Sequence, residues 1–109
     1  MPQPDFASAR IDPDKIADYL LGNSSFAAVA KARFFSGVGF RASEWQRFAQ
    51  ALRTQAAGAA VAEERSPWGR KYVALGPIDA PNGRRYKIVS VWIDDGTGLR
   101  LVTAYPAKD

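Results

Sequence analysis

Near residue 59 the apolar residues of this chain change their period, and that change sets most of what the chain can fold into. Before it they recur every three or four positions; after it they alternate. A period near 3.6 buries one stripe of a helix, whereas a period of two buries one face of a strand. The sequence therefore predicts helices followed by strands, an α+β layout.

Three helices are expected. In "IDPDKIADYLLGN" Asp12 is an N-cap, Pro13 suits the first helical position, and Ile16, Tyr19 and Leu20 share a stripe, predicting Pro13–Leu21 with Gly22 as its stop. Ala27–Phe35 follows, capped by Ser24 or Ser25 and ended by Gly37 and Gly39. The third, Glu44–Gln55, opens on an apparent capping box, Ser43-Glu44-Trp45-Gln46, and buries Trp45, Phe48, Ala49 and Leu52. Four strands come next: "AVAEER", "RKYVALG", "RRYKIVSVWID" and "LRLVTAY". Turns at Ser66–Gly69, Asp79–Gly83 and "DDGTG" make them an antiparallel meander. The expected fold is three N-terminal helices on one face of a four-stranded antiparallel sheet.

The 109 residues, 47% hydrophobic and 24% charged, suffice for one core. A single domain is expected, with residues 1–10 a loosely ordered arm. Neither a signal peptide nor a membrane span is read in the sequence, so the cytoplasm is the expected location. Cysteine and histidine are both absent. That excludes disulfides, zinc-thiolate sites and thiol nucleophiles, and removes the commonest general base and metal ligand. A net charge of +4 suits an anionic partner such as RNA.

Each strand of such a sheet offers one face to the helices and one to water. The β-branched set Val89, Val91 and Ile93, with Val102 and Ala104, is expected against the helices. The other parity then gathers Tyr86, Ser90, Trp92, Thr103 and Tyr105, with Arg70, Tyr72 and Arg84. A face of aromatics, hydroxyls and guanidinium groups suits RNA. It equally suits plain strand propensity and cross-strand aromatic packing. Other features have cheaper structural accounts. Asp94-Asp95 is a turn, Glu63-Glu64 a polar strand edge, and Lys31 a snorkelling cation. Asn82–Arg85 offers paired guanidinium groups, and "GVGF" is misplaced for a phosphate loop.

The motifs "AKARFF…GF", "WGRKYVALGPIDAPNGRRYKIVSVWI" and "RLVTAYP" resemble an uncharacterised bacterial domain family found alone or at the ends of larger proteins, polymorphic toxins and phage-related proteins among them. In layout this family is similar to toxin ribonucleases of the barnase, colicin and RelE type, a fold-level analogy. The resemblance places the family's helix lysine on Lys31, with Ala30 where the family commonly has Ser. It also places a basic strand residue on Lys71, the turn motif on Asn82, Gly83 and Arg84, and the closing motif on Arg100, Thr103 and Tyr105. Lack of histidine disfavours a barnase-like acid–base pair and leaves a RelE-like set of Arg, Lys and Tyr.

The leading expectation is a small ribonuclease toxin needing no metal or other cofactor. Arg84 and Arg70 would hold the phosphate, Tyr105 or Lys71 would handle the proton, and Thr103 would orient the phosphate. Trp92 and Tyr72 would stack a base, with Lys31, Arg85 and Arg100 adding RNA contacts. RNA, not DNA or membrane, is the expected partner, together with a cognate antitoxin or immunity protein. The alternative is a non-catalytic module that binds a protein or RNA through the same face.

Overall fold

The computed structural model describes residues 4–13 and 33–107. Its elements are 3₁₀ turns at Phe6–Ser8 and Ala42–Glu44, helix α1 at Trp45–Ala57, and strands β1 (Ala60–Ser66), β2 (Gly69–Asp79), β3 (Arg85–Asp94) and β4 (Leu99–Pro106). Residues 33–37 are helical as well. The order is as expected, helical segments first and then one antiparallel sheet arranged β1-β2-β3-β4. The helix expected at Pro13–Leu21 lies, after its first residue, outside the described residues, as does the expected Ala27–Phe35 up to residue 32. One complete helix and two 3₁₀ turns are thus described where three helices were expected.

The expected capping box does not form. Residues Ala42–Glu44 tighten into a 3₁₀ turn, the Glu44 amide donates to the Arg41 carbonyl at 3.0 Å, and no side chain caps α1. The helix therefore begins at Trp45, beyond Ser43. Its buried stripe is Phe48, Ala49, Leu52, Gln55 and Ala56, and Gly58 ends it. Phe35, Phe40 and Phe48 stack in a tilted cluster, with centroids 4.6 to 6.4 Å apart.

The hairpin turns follow their glycines. Between β1 and β2 the Ser66 hydroxyl accepts from the Trp68 amide (3.3 Å) and donates to the Gly69 carbonyl (2.9 Å). Gly69 sits at φ 132°, and a Cβ there would lie 2.2 Å from the Asp94 carbonyl oxygen. Only glycine fits this crossing of two turns.

The expected sheet parity is reversed on β3. Tyr86, Ile88, Ser90 and Trp92 belong to the side facing α1, together with Tyr72, Ala74 and Ile78 of β2. Val89, Val91 and Ile93 occupy the far face; Val91 and Ile93 are buried but stand outside the cluster packed on α1. Two side chains account for the choice. The buried Gln55 amide of α1 reaches the carbonyls of Ala74, Gly76 and Ile88 at 3.2 to 3.4 Å. Its Oε1 accepts from the Ser90 hydroxyl at 2.6 Å, and the Trp92 indole N–H donates to that same hydroxyl at 2.8 Å. Every polar group of this trio is satisfied, so a serine and an indole can be buried at no unpaired cost. Glycine on the same side lets the segment just after α1 approach: a Cβ at Gly76 would meet the Ala59 Cβ at 3.1 Å.

β4 mixes both outcomes. Ala104 faces α1 as expected, but a register irregularity opposite Val91 and Trp92 shifts the strand around Val102 and turns Leu101 and Leu99 inward. In the N-terminal segment Phe6, Ala9 and Ile11 are buried against the core. Phe6 is 1% exposed and packs edge-on against Trp92 (5.4 Å) and Tyr72 (6.5 Å). Arg10 then pairs in parallel with Arg100, its amide donating to the Leu99 carbonyl (2.8 Å) and its carbonyl accepting from Leu101 (3.0 Å).

Candidate functional face of the sheet

Antiparallel register stacks the far face in rows. One row runs Glu64, Lys71, Ile93, Arg100; the next runs Ala62, Val73, Val91, Thr103; a third runs Ala60, Leu75, Val89, Tyr105. Lys71, Arg100, Thr103 and Tyr105 therefore share one face, although they come from two strands. Strand spacing puts the Lys71 and Arg100 backbones about 10 Å apart across Ile93, and those of Thr103 and Tyr105 about 7 Å apart along β4. Leu75 (39%) and Tyr105 (38%) are the large hydrophobic side chains most open to solvent there.

The charges on this face are arranged in pairs. Lys71 lies 3.7 Å from Glu64, and Arg100 lies 3.7 Å from Asp95. Both pairs are solvent-exposed, so each contributes little to stability and yields readily to a competing anion. Asp95 is held below the usual carboxylate range, first by the Thr97 hydroxyl and amide that bond to it, then by the charges of Arg100 and Arg10. Arg10 follows Arg100 at the sheet edge and donates to the Thr97 hydroxyl at 3.2 Å. Arg53, whose Nε donates to the Ala9 carbonyl at 2.9 Å, joins Arg10 and Arg100 around a cleft of about 590 Å³.

This arrangement can neutralise a phosphodiester and offer it hydroxyl and phenol groups. Among the described residues no group of His, Cys, Asp and Glu is placed to hold a metal ion.

The remaining sequence candidates fall elsewhere. Tyr72 and Trp92 are corrected: they belong to the core side, 9% and 0% exposed, where the Phe6 ring covers them and no base can stack. Arg70 is exposed at the start of β2 and lies 3.6 Å from Glu63. Arg85 bonds to Asp79 at 2.6 Å. Arg84 lies in the β2–β3 turn, at the opposite end of β2 from Lys71; its amide donates to the Asn82 side chain at 3.0 Å. Lys31 lies outside the described residues. Arg10, Arg53 and Glu64 were not singled out as site residues. The bridge joining the N-terminal segment to β4 has no signature in local pattern, and Glu64 reads as an ordinary strand edge until its register with Lys71 is known.

Residues 3–108 match the model of a family described as a domain of unknown function, DUF6883. No curated protein matches the chain. Among solved structures, a chain of the contact-dependent growth inhibition toxin–immunity protein complex from Klebsiella pneumoniae 342 is similar over 96% of this chain and 98% of that one, with a TM-score of 0.75 and 16% identity. At that identity the likeness shows the fold alone.

Proposed function

We propose, for a chain that belongs to the DUF6883 family, the role of a small toxin domain that cleaves RNA on the far face of its sheet without a metal ion. One observation carries the reading: Lys71, Arg100, Thr103 and Tyr105 share that face in a chain of net charge +4. Its structural relative belongs to a toxin–immunity complex. Charge favours the toxin side, because a protein that blocks an RNA-binding surface must present acidic groups to it.

In this reading the ribose 2′-hydroxyl attacks phosphorus, the bond to the 5′-oxygen breaks, and the products are a 2′,3′-cyclic phosphate and a free 5′-hydroxyl. Lys71 and Arg100 neutralise the charge gathering on the phosphoryl oxygens. Thr103 orients a phosphoryl oxygen, and Tyr105 donates the proton that the leaving oxygen needs. The 2′-hydroxyl proton passes to solvent water, because the register sets Glu64 three strands and two rows from Tyr105, too far for both to serve one phosphodiester.

The test is incubation of the purified protein with total RNA in excess chelator, followed by end-group analysis. Cyclic phosphate termini are expected; intact RNA would reject the reading. A second reading, a non-catalytic module for a protein partner, is favoured by the aliphatic part of the same face, where half-buried Val73 and Val89 flank exposed Leu75. It predicts intact RNA and no growth arrest on expression.

A further inference from the structure

The β1–β2 hairpin ends in an exposed tryptophan. Trp68 is 71% accessible, and its indole makes no ring contact among the described residues, whereas Trp92 is fully buried. The tip that carries it is rigid: Ser66 bridges the turn, and Gly69 is pressed against Asp94. A backbone fixed this way loses little conformational freedom when the tip binds.

Two arginines flank it. Arg65 and Arg70 are direct cross-strand partners, both exposed. Like charges placed opposite one another destabilise a hairpin. Glu63 lies 3.6 Å from Arg70, but Arg65 has no ion-pair partner among the described residues. The adjoining cleft, about 450 Å³, is lined by Arg65, Arg70, Asp94 and Asp95 among others. Both carboxylates are engaged in their own turn, Asp94 accepting from the Gly96 amide and Asp95 from Thr97. An exposed indole two residues from Arg70, with Arg65 free of any ion pair among the described residues, is matched by a ligand with alternating negative charge and flat rings.

We infer that this hairpin tip docks single-stranded nucleic acid, with one base stacked on Trp68 and an adjacent phosphate held between Arg65 and Arg70. The inference rests on the RNA-cleaving reading and extends the contact from the sheet face to its end. By strand alternation Arg65 and Arg70 share the parity of Tyr72 and Lys71 the opposite one, so a strand anchored at Trp68 reaches the far face by passing around the hairpin end.

The experiment uses the full chain and a fluorescein-labelled 2′-O-methyl oligonucleotide, which cannot be cleaved for want of a free 2′-hydroxyl. Anisotropy is read for the parent, Trp68→Phe, Trp68→Ala and Arg65→Ala, after circular dichroism has shown each to be folded. Trp68→Ala is expected to weaken single-strand binding about 10- to 100-fold, with Trp68→Phe between it and the parent. The log–log salt slope should fall by about 0.7 in Arg65→Ala and stay unchanged in Trp68→Ala. A duplex, whose bases are already stacked, should not distinguish Trp68→Ala from the parent. Undiminished oligonucleotide binding by folded Trp68→Ala, the result a protein-docking tip would give, overturns the inference. No binding by the parent overturns it too, while the total-RNA assay reports separately on the cleavage reading.

Discussion

At the scale of single residues, the last strand offers the sharpest substitutions. Tyr105→Phe keeps the ring and removes one hydroxyl; Thr103→Val keeps the β-branched shape and removes another. If either group handles the phosphate or the proton, RNA cleavage should fall by about two orders of magnitude with the thermal midpoint nearly unmoved. Full activity in both would make β4 purely structural. Ser90→Ala belongs to the other side of the sheet and should act on stability instead. It strips the Trp92 N–H and the Gln55 oxygen of their shared partner, at a cost of about 1–3 kcal/mol, and a thermal melt would show it as a drop of several degrees. This trio also marks where the sequence misleads. Valine and isoleucine on β3 read as core by hydrophobicity, and serine as surface. The buried amide of Gln55 reverses that choice, and nothing within β3 announces it. Thr103 and Tyr105 nonetheless fell on the face away from α1, because Ala104 between them was read correctly.

Among the elements, the β3–β4 turn has its own pH signature. Thr97, then Arg100 and Arg10, hold the Asp95 carboxyl below its usual value of 3.8. A group depressed in the folded state adds stability that is present above its unfolded value and is lost as pH falls through the folded one. The acid limb of the melting curve should therefore steepen below the ordinary carboxylate range in the parent and flatten in Asp95→Asn. A carboxyl titration by NMR should place Asp95 below its usual value of 3.8; an ordinary value would overturn this prediction. Element boundaries were largely legible, because turns are written in glycine and proline: all four strands lie within a few residues of their expected limits. The start of α1 was not, since a 3₁₀ turn satisfies the first amides without the expected cap.

For the whole molecule, the consequential element is the N-terminal segment. Phe6 fills the space between Trp92 and Tyr72, so Phe6→Ala should cost about 3–5 kcal/mol, a large share of the 5–15 kcal/mol that holds a typical domain together. Denaturant unfolding would measure it; a loss under 1 kcal/mol would mean the segment is an accessory. Its composition hides this role, because "MPQPDFASAR" has one aromatic residue and no period. The same docking gives the chain a temporal order. Arg10 finds its backbone partners only in Leu99 and Leu101, almost the whole chain away, and closing so long a loop is both entropically costly and slow. A copy made on the ribosome, or threaded N-terminus first through any narrow passage, gains the Phe6 partners as β2 and β3 appear but holds Arg10 without its backbone partners until β4 emerges. Docking is thereby timed to β4: a chain truncated before that strand lacks Thr103 and Tyr105 and also the edge against which residues 4–11 lock.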